Sequence, residues 1–278
     1  MTTTTPPPIA LWYVYGIVPA GLTAASLPNG LDDAAVSLER DGGVAALVSR
    51  LDASGYAPDV IERSSADVEW LSPRAVAHDR VLTWASDRCA VVPLPMFSLF
   101  SGPEAVRSML RDRAPQLAST LTRVGRGREY ALRVYRIDAE LTAVIATLSP
   151  RLEELAASAA SASPGQRYLL ERKLDGQKRA EVRAVTQDIV DDIVAELSEH
   201  ALEAVRSPIP RIADAEDAVG GRGTLVLNAA FLVSPQQLEA FQRTLTKLVG
   251  ERGEQGFRFD FTGPWPPYHF ASESSNGT

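Results

Sequence analysis

The feature that most constrains the fold of this chain is a long run of helical periodicity in its second half. From Pro164 to about Val205, apolar residues recur every three or four positions, and Ser163 stands where an N-cap belongs. The stripe consists of Leu170, Leu174, Val182, Val185, Ile189, Ile193, Leu197 and Ala201. Gly176 is its weak point, because glycine costs about 1 kcal/mol relative to alanine inside a helix. The pattern predicts one long helix with a single apolar face.

Strand patterns stand on both sides of this helix. Residues 129–138 alternate apolar and polar side chains, and residues 224–233 are apolar enough for the middle of a sheet. Residues 208–217 fit an irregular stretch or a short edge strand, and residues 257–261 alternate as a final strand. A second helix, capped by Ser234, carries an apolar face of Leu238, Phe241, Leu245 and Leu248. The order strand, helix, strand, strand, helix, strand predicts a ferredoxin-like domain.

The first half of the chain contains more strands before its first helix. Residues 11–18 are rich in aromatic and β-branched side chains and precede Pro19, as expected for a strand. Two short apolar runs, 35–40 and 44–50, flank the sequence Asp-Gly-Gly at 41–43, which predicts a β-hairpin. We therefore expect a small, mainly antiparallel sheet.

Two helices are predicted to follow this hairpin. The first spans about 67–88, and a short strand at 90–94 comes after it. The second spans about 103–122, with Ser101 as its N-cap and a kink at Pro115.

The chain is predicted to be an α+β protein of two domains. Its 278 residues exceed the usual size of one domain, and the glycine- and arginine-rich stretch around Gly125 breaks the helical pattern. The predicted layout is a disordered N-terminus (1–10), an N-terminal α+β domain (11–125), the ferredoxin-like domain (126–262) and a Pro/aromatic C-terminal tail (263–278).

The composition of the chain limits the kinds of molecule that it is expected to bind. The net charge of −7 argues against general affinity for nucleic acid or anionic membrane. The chain lacks an apolar stretch of about 20 residues and a secretory pattern at its N-terminus, which favours a cytoplasmic protein that does not enter membranes. Cys89 is the single cysteine, so no intramolecular disulfide is possible, and its apolar surroundings favour a buried, inert thiol.

Few residues show a pattern that indicates chemistry. The histidines at 78, 200 and 269 lack the spacing of metal ligands, and neither a phosphate-binding loop nor a nucleophile elbow is present. The carboxylate pairs Asp32/Asp33 and Asp191/Asp192 are typical of a solvated face. We therefore expect no metal site, no cofactor and no catalytic residue.

The C-terminal tail is the most distinctive stretch. Its candidate interaction residues combine backbone-stiffening prolines with large aromatic side chains: Pro264, Trp265, Pro266, Pro267, Tyr268 and Phe270. Two interpretations are open: the tail packs on its own chain, which we favour, or it docks on a partner.

The long helix carries a second candidate surface. Between Glu171 and Arg183, eight of thirteen residues are charged, among them the candidate interaction residues Arg172, Lys173 and Arg179. Such a run is usually solvated and contributes little to stability, which is the prediction here.

Six segments together resemble the gas vesicle accessory proteins of the F and L family. The most specific is GPWPPYHF at 263–270. The others are YVYGIV (13–18), HDRVL (78–82), VVPLPMFSLF (91–100), YLLERK (168–173) and NAAFLV (228–233). The stretch Met96-Phe97-Ser98 departs from the family pattern, which we expect to have a more polar residue before the phenylalanine and a glycine after it.

The resemblance implies a role in assembly and no enzymatic activity. It implies that the chain binds the small apolar gas vesicle shell protein and other accessory proteins, as an escort or nucleator. The alternative is a minor structural component retained in the shell, and an enzyme using His78 or Cys89 is a third possibility. The choice between the F and L members, and whether the chain self-associates, stay open.

Overall fold

The computed structural model of the chain describes residues 10–23, 25–209 and 223–271. The chain divides into two compact units. Unit 1 contains the residues up to Glu129 and those from Pro264 onward, and unit 2 contains Tyr130–Gly263.

Unit 1 is built on a small antiparallel sheet. Its strands are β1 (Ala10–Pro19), β2 (Val36–Asp41), β3 (Val44–Asp52), β4 (Val92–Pro93) and β5 (Leu99–Phe100). They are arranged in the order β2-β3-β1-β4, and β5 also pairs with β1. The β2–β3 hairpin confirms the prediction from the Asp-Gly-Gly sequence, and its turn uses Gly42 at a positive φ of 58°.

Helices cover both faces of this sheet. They are α1 (Pro58–Ser64), α2 (Val68–Ser86), α3 (Pro103–Asp112) and α4 (Ala114–Val124). Tyr13 of β1 packs with Leu82 of α2 on one face, and Val14 packs with Leu110 of α3 on the other. Because both of its faces are buried, β1 appears in the sequence as a continuous apolar run. Gly16 is required where β1 pairs with β4, since a Cβ there would lie 2.8 Å from the backbone carbonyl oxygen of Val92.

The helix predicted at 103–122 is two helices, which corrects the predicted kink. Pro115 has no N–H to donate to the carbonyl four residues earlier, so the first helix ends and Arg113 (φ −108°, ψ 8°) separates α3 from α4. The predicted cap is also wrong, because Gly102 occupies the N-cap position rather than Ser101.

Unit 2 combines a four-stranded sheet with four helices in its described residues. In chain order the elements are β6 (Arg128–Arg136), α5 (Asp138–Leu148), α6 (Pro150–Ser161), α7 (Pro164–Ser198), β7 (Glu203–Arg206), β8 (Thr224–Val233), α8 (Leu238–Gly253) and β9 (Phe257–Trp265). The sheet order is β7-β8-β6-β9. Its core joins the strand residues Leu132 and Phe231 with Ile193 of α7 and Phe241 of α8.

Several predicted bounds in unit 2 are wrong. The long helix ends at Ser198, seven residues before Val205, because the chain turns there and Leu202 donates its N–H to the carbonyl of Leu232 to begin β7. Helix α8 begins at Leu238, and Ser234 hydrogen-bonds the Gln237 side chain instead of capping the helix backbone. Helices α5 and α6 were not predicted. The possible edge strand at 208–217 falls almost wholly outside the described residues.

The predicted C-terminal tail begins within a strand. Strand β9 continues through Pro264 to Trp265, and a proline is tolerated there because β9 is an edge strand of the sheet. A short helix, α9 (Tyr268–Ala271), follows in unit 1.

Candidate functional site

The C-terminal tail is held to unit 1 through Phe270. This side chain is 1% exposed, and Pro266 and Pro267 before it are also buried. The Phe270 carbonyl accepts a hydrogen bond from the Arg123 guanidinium at 2.6 Å. Both the ring and the backbone carbonyl of Phe270 therefore hold the tail to unit 1.

A buried carboxylate provides the second attachment of the tail. Glu129 is 2% exposed, and its two oxygens accept hydrogen bonds from the His269 backbone N–H (3.0 Å) and contact His269 Nδ1 (2.7 Å). The hydrogen bond to Glu129 raises the pKa of His269, although partial burial opposes this shift. The buried carboxylate thus favours the protonated form of the imidazole beside it.

The other two aromatic residues of the tail face solvent in part. Trp265 is 41% exposed and Tyr268 is 40% exposed. Burial raises the pKa of the Tyr268 phenol, and Asp79, whose carboxylate lies 3.5 Å from the phenol oxygen, raises it further. The tyrosine thus stays neutral at physiological pH. The tail divides into an internal part around Phe270 and a displayed part with Trp265, Tyr268 and the exposed Pro264.

The second candidate surface lies on α7. Arg172, Lys173 and Arg179 are all exposed, as predicted for a solvated face. They lie on the half of α7 whose other side packs against α6.

The residues considered for catalysis are not activated. The His78 side chain is 3% exposed and its Nδ1 lies 2.6 Å from the Tyr13 hydroxyl, and burial lowers its pKa to about 4. Burial also raises the pKa of the Cys89 thiol, which keeps it protonated and a poor nucleophile. Neither geometry is that of a nucleophile with a base.

The described parts of the chain contain neither a candidate metal cluster nor a helix that could span a membrane. Within residues 10–23, 25–209 and 223–271, no three His, Cys, Asp or Glu side chains are grouped closely enough to hold a metal ion. None of the helices described for these ranges has the length and hydropathy needed to span a bilayer.

Comparison with known proteins decides the family. A family model described as gas vesicle synthesis protein GvpL/GvpF matches residues 11–272. The chain belongs to this GvpL/GvpF family. The resemblance found in the sequence segments is thereby confirmed.

Relatives of this GvpL/GvpF family member come from bacteria and archaea. Gas vesicle protein L of Streptomyces sp. (strain CB03234) is 29% identical over 94% of this chain and 92% of its own length. Gas vesicle protein L2 of Halobacterium salinarum is 28% identical over 94% and 91% of the two chains. The crystal structure of GvpF from Anabaena sp. PCC7120 superposes with a TM-score of 0.66 at 18% identity, covering 95% of this chain and 97% of that one. The last likeness shows that the fold is shared.

Sequence reasoning missed a strained polar loop in unit 1 of this family member. Asp32 (φ 49°), Asp33 (φ 58°) and Phe97 (φ 64°) lie in the left-handed region, which non-glycine residues rarely adopt. The Asp32 carboxylate is exposed, as predicted for a solvated face, but it also accepts a hydrogen bond from Tyr56 at 2.6 Å and pairs with Arg74 at 2.9 Å. The tolerance of aspartate for this region was a usable signal. Phe97 offers no such signal, although it stands where the sequence departs from the family pattern.

Proposed function

We propose that this chain is a non-enzymatic accessory protein of gas vesicle assembly that binds the small apolar shell protein and other accessory proteins in the cytoplasm. Its membership of the GvpL/GvpF family supports a role in gas vesicle formation. The observation that carries the proposed binding is the divided tail, in which Phe270 and Glu129 fix a segment that displays Trp265 and Tyr268.

This arrangement favours binding to an apolar partner. Tryptophan and tyrosine are the residues that most often dominate protein interfaces. Their rings bury large apolar areas, and fixing the backbone beforehand lowers the entropy that is lost on binding. A shell protein with exposed apolar surface would aggregate on its own, and an escort that covers this surface prevents that.

The alternative is that the chain remains in the vesicle as a minor structural component. The two roles differ in whether the chain stays bound to gas vesicles during their purification. An escort is released from intact vesicles by washing, whereas a structural component stays bound to them.

Two finer features of the fold belong to the same proposal. The ferredoxin-like plan of the second half is supported by the strand order β7-β8-β6-β9, which places the two inner strands β6 and β8 side by side. The predicted domains at 11–125 and 126–262 are close to the limits of the two compact units at Glu129 and Tyr130, and they stay a proposal as independently folding parts.

The experiment is co-precipitation of the shell protein with wild-type chain and with Trp265→Ala/Tyr268→Ala, across ~0.05 to 1 M salt. Loss of two interface aromatics is expected to cost about 2 kcal/mol or more, roughly a 30-fold weaker complex. Binding by the wild type should persist at high salt, because screening weakens exposed ion pairs and leaves apolar burial intact. The matched control is Val68→Ser/Val76→Ser, which removes two exposed apolar side chains of α2. No binding at any salt would overturn the partner, and equal loss in the control would overturn the site.

A further inference from the structure

The N-terminal half of α7 carries an exposed face that is both basic and apolar. With 3.6 residues per turn, six of its residues fall within about 140° of the helix circumference. These residues, the basic face, are Tyr168, Leu169, Arg172, Lys173, Arg179 and Arg183. All six are exposed, and Tyr168 (64%) and Leu169 (65%) are among the most exposed large apolar side chains of the described residues.

Nothing in the described part of unit 2 covers this face, although the same side of α7 is covered further along. Thr186, Val190 and Leu197 lie on that side of the helix and are buried. In the N-terminal half, Leu174 and Val182, which both lie outside the arc of the basic face, pack against the core, and α6 also contacts α7. The edge of the basic face that carries Arg172 and Arg179 is therefore the uncovered continuation of a buried side of the helix.

The basic residues of this face outnumber the acidic residues near them, and four of them are unpaired within the described residues. Six basic and three acidic residues lie between 164 and 184, in a protein whose net charge is −7. Arg172, Lys173, Arg179 and Arg183 make no ion pair with any described residue. Other arginines of unit 2 are paired closely, such as Arg206 with Asp191 at 2.6 Å and Arg258 with Glu140 at 2.7 Å.

The middle of the face allows another backbone to approach closely. Gly176 and Ala180 lie between the arginines on the same side of α7, and both are exposed. A Cβ built on Gly176 would meet no atom within 4 Å. Small residues four positions apart form a shallow groove on a helix, into which the side chains of a second helix can pack.

We propose that the basic face binds an acidic helix of a partner protein. Carboxylates of that helix pair with Arg172, Lys173, Arg179 and Arg183, its backbone crosses α7 near Gly176, and its apolar end covers Tyr168 and Leu169. A helical protein partner fits better than a nucleic acid because the exposed Leu169 suits an apolar helix end and the small residues Gly176 and Ala180 leave room for a helix backbone. The basic face belongs to unit 2 and the tail from Pro264 onward to unit 1, so the proposal goes beyond the proposed binding of the shell protein by the tail.

The test measures fluorescence anisotropy with a labelled 18-residue peptide, an alanine-based helix with one face of glutamates and two leucines at one end. The wild-type chain is expected to bind it at least 10-fold more tightly than the same peptide with glutamine for glutamate. Arg172→Glu/Lys173→Glu/Arg179→Glu should weaken binding at least 10-fold, and Tyr168→Ala/Leu169→Ala should weaken it several-fold. The matched control, Arg80→Glu/Arg126→Glu/Arg133→Glu, makes the same charge change at exposed arginines elsewhere and should leave binding unchanged.

Four results would overturn the proposal. The glutamine peptide could bind equally well, or the control variant could lose as much affinity as the face variant. A 20-nucleotide single strand or vesicles with anionic lipid could bind more tightly than the peptide and respond to the same variant. Light scattering could show that the wild type is a dimer and that Arg172→Glu/Lys173→Glu/Arg179→Glu is a monomer. This result would mean that a second copy of the chain occupies the face. Circular dichroism of each variant checks that α7 is retained, and co-precipitation of the shell protein with the face variant reports separately on the proposed function.

Discussion

The C-terminal tail and the N-terminal half of α7 both display aromatic residues at the surface, but they are supported in different ways. The tail is fixed to unit 1 by a buried ring and a buried carboxylate, Phe270 and Glu129. The N-terminal half of α7 packs one side against α6, and the residues of its basic face are exposed in the described part of unit 2. The exposure of an aromatic side chain at the surface therefore does not show whether it contributes to stability or to the binding of a partner. Substitutions in the tail should affect both properties, and those on α7 should affect binding alone.

The largest expected difference is between two aromatic truncations. Phe270→Ala should lower the free energy of unfolding of unit 1 by about 3–5 kcal/mol, because it leaves a cavity at a side chain that is 1% exposed. Tyr168→Ala should change stability by no more than about 0.5 kcal/mol, since that ring is 64% exposed. Urea denaturation followed by tryptophan fluorescence measures both. A urea denaturation curve of Phe270→Ala that matches the curve of Tyr168→Ala would show that the tail is not part of the folded core.

Acid should destabilise unit 1 by protonating His78, a buried residue of α2 that is not part of the tail. Its pKa is about 4 in the folded state and about 6.5 when unfolded, so the unfolded chain binds more protons between these values. Stability therefore falls as the pH drops from 6.5 to 4, by about 3 kcal/mol. His78→Gln should remove this slope. Denaturation at a series of pH values measures it, and a wild-type curve parallel to that of the variant would contradict the buried neutral histidine.

The tail should show a pH dependence of the opposite sign. The pKa of His269 is raised in the folded state, so its stabilising contribution is fully present below about pH 6.5 and is lost as the pH rises through the higher folded value. His269→Gln should therefore reduce thermal stability more at pH 5.5 than at pH 9. Glu129→Gln, which removes the carboxylate, should abolish this difference. An equal loss at both pH values would indicate that the backbone contact alone holds the tail.

The smallest expected effect is on the basic face. Arg172→Glu/Lys173→Glu/Arg179→Glu should shift the free energy of unfolding by less than about 1 kcal/mol, because these exposed side chains make no ion pair within the described chain. The measurement is a thermal melt beside the Arg80→Glu/Arg126→Glu/Arg133→Glu control. A melt lowered by many degrees would show that the face is covered in the folded protein.

Much of the local structure was predictable from the sequence. The strand at 224–233 was predicted with its observed bounds, and the helix at 67–88 differs from α2 by one or two residues at each end. The errors in the predicted helix boundaries come from local features whose effect is hard to judge from the sequence. Pro115 divides a helix instead of bending it, and the apolar pattern past Ser198 continues into β7, where pairing with β8 takes over from helical hydrogen bonds.

The candidate residues were less predictable than the elements that carry them. Three aromatics of the tail were equivalent in the sequence, yet Phe270 is internal while Trp265 and Tyr268 are displayed. The difference depends on Arg123 and Glu129, which lie about 140 residues earlier in the chain. The strained turn at Asp32 likewise depends on Tyr56 and Arg74, which no nearby pattern indicates.

Most strands, most of the long helix and the family could be recognised from the sequence alone, because periodicity and short motifs act over a few neighbouring residues. Only the tertiary structure decided which sides of these elements are covered. Along α7 one side of a regular helix is buried at Val190 and open at Arg172, with no change in the backbone between them. The physical reason is that burial depends on what the rest of the chain places against each side, and those neighbours are distant in sequence.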